Sequence, residues 1–318
     1  MMSGGNIFTK FKAFLTISRA KIQLGTPPHP LLGLILGAGS LSAFFSPPSL
    51  VYIGLYFLLI TFACNINCLF DINIDEKYKS HMSSAVKEIG KKNVKLIIIL
   101  ESLFIFALIS LLIWWNYTLT ALLAISGFLM GYIYSAEPFR IKKRGFLSPM
   151  PVLIGLYTLP VLGGWFIFNS TLTLYIVVFT IGYALLNEGI TLVNTCEDYE
   201  EDKHDGVRTW AHIFELKKTM KIAFYFTVIG GLTAVVGVIL KPMLEGMTFY
   251  NIYSSIIFIA LGILNISIIL KTGRSIYLAS NKPDLSKSCK KAAKNMPKWF
   301  ISTRYPLLIM SLILILYS

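Results

Sequence analysis

The 318-residue chain is 55% hydrophobic and only 14% charged, and its formal net charge is +13. A mean hydropathy of +0.67, with charge well below the roughly 25% of a soluble domain, excludes an ordinary soluble fold and indicates a membrane protein. On such a chain the positive excess points to a basic face against anionic headgroups and to an anionic substrate, not to nucleic acid.

In chain order, the first 25 residues lack the apolar core and small-residue cleavage site of a signal peptide, so no cleavable leader is expected. A spanning helix needs about 20 mostly apolar residues. Candidates run over 27–46, 49–70, 93–115, 117–135, 149–168, 172–195, 219–240, 248–270 and 301–317. Pro151 and Pro160 predict a kink in the fifth, because proline removes a backbone donor. Nine spans put five polar segments on the side of the N-terminus. Of the 29 basic residues, Lys241 is the one expected on the other side. The positive-inside rule then places the N-terminus and the long loops in the cytoplasm of a cell-membrane protein. Cys64, Cys68, Cys196 and Cys289 show no metal spacing and read as small apolar residues.

The second span ends in Asn67, Asp71 and Asp75, and the sixth in Asn194, Asp198 and Asp202. Both follow an i, i+4, i+8 pattern, and they are offset by 127 residues. The same offset aligns Leu32 with Leu159 and Gly37 with Gly164. The chain therefore reads as a single membrane domain with a four-helix half at 27–135, a second at 149–270, and an added helix at 301–317. Repeats of this kind build sites at their interface.

Residues at that spacing share one helical face, roughly 6 Å apart per step. Each copy lines up one amide and two carboxylates at a helix C-terminus, where the dipole disfavours negative charge. Four gathered aspartates repel one another at low dielectric and require cations. Carboxylate and amide oxygens are hard ligands that suit Mg²⁺, which keeps waters and completes its shell with substrate phosphates. Asp71 and Asp198, central in each copy, are the candidate catalytic residues of a site that holds a diphosphate between metal ions. A lone aspartate at a helix end is usually just solvated; two copies at equivalent ends are not explained that way. A cation or lipid transporter is the alternative, and its acids belong near the bilayer midplane.

Between spans four and five lies "YSAEPFRIKKRG". Such a basic loop is often only a membrane anchor. Here Arg140 and Lys142 also suit a diphosphate, with Tyr134 and Ser135 donating hydrogen bonds. Lys77, Lys79, Lys203 and Arg208, which follow the two acidic motifs, suit the same role. The stretch 282–298 has six lysines, one acid and no aromatics, and reads as an interfacial segment on anionic lipid.

With these motifs on the page, the chain resembles the UbiA superfamily of membrane prenyltransferases. "NINCLFDINID" is similar to that family's first aspartate-rich motif, "NTCEDYEEDKHDGVRT" to its second, and "YSAEPFRIK" to its Tyr-Ser-x-x-Pro-x-Arg-x-Lys loop. The resemblance implies an all-α, polytopic membrane fold with about nine transmembrane helices around a central cavity. It further implies Mg²⁺-dependent transfer of a prenyl group from an isoprenyl diphosphate to a lipophilic acceptor. By the same resemblance Asn67, Asp71, Asp75, Asn194, Asp198 and Asp202 hold the metal–diphosphate, while Tyr134, Ser135, Arg140 and Lys142 cap it. Family acceptors range from aromatic quinone precursors, haem and chlorophyllide to a prenylated glycerol phosphate. The family's Arg-Pro pairs are absent here: Ala20 follows Arg19, and "KYKSHMSSAVKEIG" follows the first motif, so the acceptor stays open. Phe70, Tyr132, Tyr157, Trp165 and Tyr183 are candidates for facing an allylic cation. A phosphatidyl transferase would need an Asp-Gly-x-x-Ala-Arg start, which the chain lacks; a cyclase or hydrolase on the same scaffold would need no acceptor.

Overall fold

The computed structural model describes residues 7–247 and 252–316. Among these, helices dominate, and extended pairing is confined to one isolated bridge between Arg144 and Arg208. The all-α expectation holds.

Helices α1 (Ile7–Ile17) and α2 (Ala20–Gln23) lead into α3 (Pro28–Gly37), α4 (Leu41–Phe44) and the long α5 (Pro47–Phe70). Two short helices, α6 (Ile72–Tyr78) and α7 (Ser80–Ile89), precede α8 (Lys91–Trp114) and α9 (Thr118–Ser135). After two short turns come a π-helical stretch, Val152–Thr158, and α10 (Leu159–Trp165). Then follow α11 (Leu174–Glu197), α12 (Tyr199–His204), α13 (Trp210–Glu245), α14 (Ile252–Ser280), α15 (Leu285–Ala293) and α16 (Met296–Leu316).

Eight helical segments among the described residues are long and apolar enough to cross a membrane, and the chain is an integral membrane protein. The first expected span, 27–46, is not one of them. It divides into α3 and α4, and ten residues of α3 rise only about 15 Å, half the hydrocarbon core. The break has a local cause. Ala38 is extended (ψ 134°), and the Ser40 side chain caps α4 by accepting from Ala43 N–H at 3.2 Å. The eighth expected span begins at α14, its residues 248–251 lying outside the described residues, as does residue 317 of the last.

The proline kink expected in the fifth span is present. Proline at position 160 has no N–H to give its own helix, and the preceding turns widen to π geometry. Neighbouring helices satisfy the carbonyls around the distortion: the Tyr52 hydroxyl donates to Pro160 O at 2.8 Å and the Thr120 hydroxyl to Gly163 O at 3.0 Å.

Two large cores result. One gathers α5, α8 and α9 around Leu55, Phe62, Ile105 and Leu112. The other gathers α11, α13 and α14 around Phe179, Leu186, Ala234 and Ile269. Packing between helices in lipid relies on small residues that let backbones approach. A Cβ at Gly189 of α11 would lie 2.6 Å from Thr227 N of α13, and one at Gly164 of α10 2.7 Å from Pro30 O of α3. The buried Arg304 of α16 ties these parts together. Its Nε donates to Asn187 Oδ1 and its Nη1 to Gly25 O, each at 2.6 Å.

Candidate active site

Helices α5 and α11 both end at an aspartate. Asp71 (φ −96°, ψ 5°) closes α5 and opens α6; Asp198 (φ −80°, ψ 4°) does the same between α11 and α12. Each motif therefore crosses a bend instead of lying on one continuous helix. The backbone nevertheless keeps its i→i−4 bonds across both bends. Asp71 N–H reaches Asn67 O at 2.9 Å and Asp75 N–H reaches Asp71 O at 2.8 Å. Asp198 N–H reaches Asn194 O at 3.1 Å and Asp202 N–H reaches Asp198 O at 2.8 Å. The common face survives, and all six motif residues line one cavity of about 460 Å³, a size typical of ligand sites.

Cations crowd the first motif. The Arg140 guanidinium donates to Asp71 Oδ1 at 2.8 Å, and the Lys142 ammonium contacts Asp71 Oδ2. Lys142 lies 5.8 Å from the centre of the Tyr134 ring. Asn67 Nδ2 donates to the Ser135 hydroxyl at 2.9 Å. At the second motif, Asn194 Nδ2 donates to Asp198 Oδ2 at 3.2 Å, and Lys79 reaches the same oxygen at 3.4 Å. Lys77 pairs with Asp205 at 2.9 Å, so the segment after the first motif clasps the segment after the second.

Acid still exceeds what these cations neutralise. Burial first, then the Asp71 charge, pushes the Asp75 carboxyl up from its ordinary range. Burial and then Asp198 push Asp202 up to about 7. Asp75 Oδ2 and Asp205 Oδ2 are buried without a hydrogen-bond partner. Burial lowers Lys142 even with Asp71 beside it. Among the described residues no three acids, histidines or cysteines are gathered closely enough to hold a metal unaided. Hard oxygen donors, orphaned carboxylate oxygens and an incomplete protein shell fit Mg²⁺, which takes one or two carboxylates plus waters and substrate phosphates.

Of the other expected site residues, Tyr134 and Lys142 line the cavity, while Ser135 and Arg140 stand behind it and orient Asn67 and Asp71. Lys77 acts at one remove, through Asp205. Lys203 and Arg208 are exposed and do not line the cavity; Lys203 points off the solvent side of α12, and the Arg208 backbone accepts from Gly145 N–H at 2.8 Å. Tyr157 lines the cavity, but Trp165 and Tyr183 are packed away from it, and Phe70 and Tyr132 are 37% and 39% exposed.

Sequence reasoning missed several lining residues. Arg19, at a positive φ of 52° between α1 and α2, donates to Asn67 Oδ1 at 3.0 Å. Nothing in local spacing announces a partner 48 residues away. Asp205 was legible, since it continues the second motif by one more helical step, and Lys143 belongs to the basic loop. Tyr52 and Tyr56, one turn apart on α5, line the deeper wall.

The fold and site together define an intramembrane enzyme class built on paired acidic helix ends over an apolar cavity. The chain belongs to the UbiA prenyltransferase family, whose model matches residues 30–282. It is similar to chloroplastic chlorophyll synthase of Arabidopsis thaliana, 27% identical over 60% of this chain and 52% of that one. It thus spans about half the length of the plant relatives it matches. It is also similar to digeranylgeranylglyceryl phosphate synthase of Pyrococcus horikoshii, 26% identical over 65% of this chain and 73% of that one. Its fold matches a UbiA homolog from Archaeoglobus fulgidus with a TM-score of 0.66 at 16% identity, over 95% of this chain and 99% of that one.

Proposed function

We propose that this protein transfers a prenyl group from an isoprenyl diphosphate to a lipophilic acceptor within the membrane, with Mg²⁺, and releases diphosphate. One observation carries the reading: the two acidic motifs, 127 residues apart, open onto a single cavity whose deeper wall is apolar and aromatic. Structures of the Archaeoglobus fulgidus homolog bound to DMAPP and Mg²⁺ (TM-score 0.64, 17% identity, 93% of this chain and 99% of that one) support the choice of donor and ion.

Asn67, Asp71 and Asp75 with Asn194, Asp198 and Asp202 would hold Mg²⁺, which when bound supplies Lewis-acid stabilisation of the departing diphosphate. The chain's own groups do the rest. Lys142, Lys79 and Arg19 offer positive charge at the cavity mouth, and Arg140 fixes Asp71. The Tyr134 hydroxyl donates to the anion. Preorganised donors of this kind stabilise charge that grows as the C–O bond breaks. The apolar wall keeps water from the allylic carbon, and the faces of Tyr52, Tyr56 and Tyr157 stabilise its positive charge.

The same reading includes two four-helix halves, 27–135 and 149–270, with 301–317 as an additional C-terminal helix. It also places the N-terminus and the site's mouth on the cytoplasmic side of the cell membrane. The acids stand at helix ends, which disfavours transport, whose acids belong near the midplane. The test incubates the purified protein in lipid with radiolabelled prenyl diphosphates of several lengths and a panel of aromatic, carboxylate and glycerol-phosphate acceptors. A labelled prenyl-acceptor product with released diphosphate is expected. Uptake without turnover would favour a transporter, and product formed without acceptor a cyclase or hydrolase.

A further inference from the structure

Away from the active site, α13 and α14 form a second cavity, a groove of about 270 Å³ lined by Phe224, Val228, Leu270, Arg274 and Tyr277. It faces outward, since Leu270 and Tyr277 are exposed. The two helices run antiparallel and touch closely behind it. A Cβ at Gly273 would lie 2.3 Å from Val228 Cγ2 and one at Gly231 2.6 Å from Ile269 Cγ2, and the Phe224 and Tyr277 ring centres are 5.3 Å apart. Leu270, Arg274 and Tyr277 follow i, i+4, i+7 on α14. On α13, Lys217, Lys221, Phe224 and Val228 follow i, i+4, i+7, i+11. Each series shares one helical face. The two exposed lysines therefore continue the α13 side of the groove towards the helix end that follows the second acidic motif.

Helix length sets the depth of the groove. α14 has 29 residues, which makes it ~13 Å longer than the hydrocarbon core of a bilayer. Its basic residues, Lys271 and Arg274, fall near its C-terminal end, after an uncharged apolar run over 252–270. Tyr277, half apolar and half polar, suits the headgroup level. No acid answers these charges locally: α14 has none, and α13 has none over 216–244. The ion pairs of α13 are Lys218 with Glu215 and Lys241 with Glu245. Lys217, Lys221 and Arg274 have none among the described residues. Cations without acids, beside an apolar groove at headgroup depth, are complemented by an anion carried on a hydrocarbon chain.

We propose that this groove is a binding site for an anionic phospholipid. One acyl chain lies along Phe224, Val228 and Leu270. The Arg274 guanidinium donates to the headgroup phosphate, whose oxygens match its planar fork of N–H groups, and the Tyr277 hydroxyl donates beside it. Lys221 and Lys217 add positive charge beyond the phosphate. A headgroup of net negative charge, such as phosphatidylglycerol, is therefore preferred over zwitterionic phosphatidylcholine, whose own ammonium meets the lysines. The groove shares no residue with the active-site cavity, so the proposal does not rest on the prenyl-transfer reading.

The test is photolabelling of the purified protein in detergent with a phosphatidylglycerol that carries a diazirine in one acyl chain, followed by peptide mapping. Label is expected at 224–228 and 270–277. Unlabelled phosphatidylglycerol competes it away at concentrations where phosphatidylcholine and glycerol phosphate do not. R274Q lowers this labelling about tenfold or more, as loss of a charge-assisted hydrogen bond predicts. L270W, which fills the groove and keeps every cation, lowers it as well. K218Q, which removes a cation off the groove face, leaves it within about twofold. Each variant is checked by thermal unfolding, and L270W alone decides if R274Q does not fold. Equal competition by phosphatidylcholine would make the groove an unselective lipid-facing seam, and equal competition by glycerol phosphate a free-phosphate site. Either result would overturn the proposal, as would wild-type labelling in a folded R274Q or in L270W.

Discussion

Asp71→Asn separates stability from catalysis at the first motif. The native carboxylate accepts from Arg140 at 2.8 Å and contacts Lys142, and both cationic side chains are only 15% exposed. Removing one partner of a buried pair costs about 3–5 kcal/mol. Residual solvent and the remaining amide oxygen reduce this to ~1–3 kcal/mol. The double variant Asp71→Asn/Lys142→Gln removes one stranded cation and should regain about half of that loss, a coupling measurable in a double-mutant cycle. Activity should behave otherwise. Without the Asp71 charge, kcat falls about 10³-fold, equivalent to ~4 kcal/mol, and the double variant recovers none of it. Stability is followed by thermal unfolding in nanodiscs through tryptophan emission, and turnover by diphosphate release. Unchanged stability in Asp71→Asn would refute the ion triad. Activity within about tenfold of wild type would refute the catalytic role.

Lys203→Ala and Arg208→Ala, which sit outside the cavity, should each leave kcat and KM within about twofold; a loss above about tenfold would return them to the site. Asp202, pushed up to about 7 from 3.8, and Asp75, pushed up by burial, hold more protons folded than unfolded. The metal-free protein therefore loses stability from these groups as pH rises through that window. Mg²⁺ competes with the same protons, so the Mg²⁺-induced rise in Tm should be larger at pH 8 than at pH 6; equal shifts would contradict this. Gly189→Leu drives a side chain into the Thr227 backbone, where even a Cβ would lie at 2.6 Å, at a cost of about 1–3 kcal/mol or more. A sharp drop in monodisperse yield is expected, and a normal yield would refute the close α11–α13 crossing.

Much of the site was legible because its chemistry is local. Asn67, Asp71 and Asp75 sit within two turns of one another, and so do Asn194, Asp198 and Asp202, so spacing alone put each triplet on a face. The bends at Asp71 and Asp198 did not spoil that inference, since the i→i−4 bonds run on through them. Hydropathy located most spans but misjudged 27–46. An apolar run reports immersion, not continuity, and the helix breaks at Ala38–Ser40 because Ser40 caps the next one. Arg19 and Tyr52 were illegible for a different reason. Their roles depend on which helices pack together, and α3 against α10 or α5 against α9 is decided by long-range fit. Lys203 shows the converse. It adjoins Asp202 in sequence, yet one residue is a turn of about 100° on a helix, enough to carry it from the cavity to solvent.

The central claim is that two acidic helix ends, one from each half, hold a single diphosphate through divalent cations. The most direct test is a structure with Mn²⁺ and a non-hydrolysable prenyl thiolodiphosphate, read by anomalous scattering. The prediction is metal density bridging the analogue's phosphates to Asp71 or Asp75 on one side and to Asp198 or Asp202 on the other. Metal bound at one motif only, or an analogue bound away from both, would contradict it.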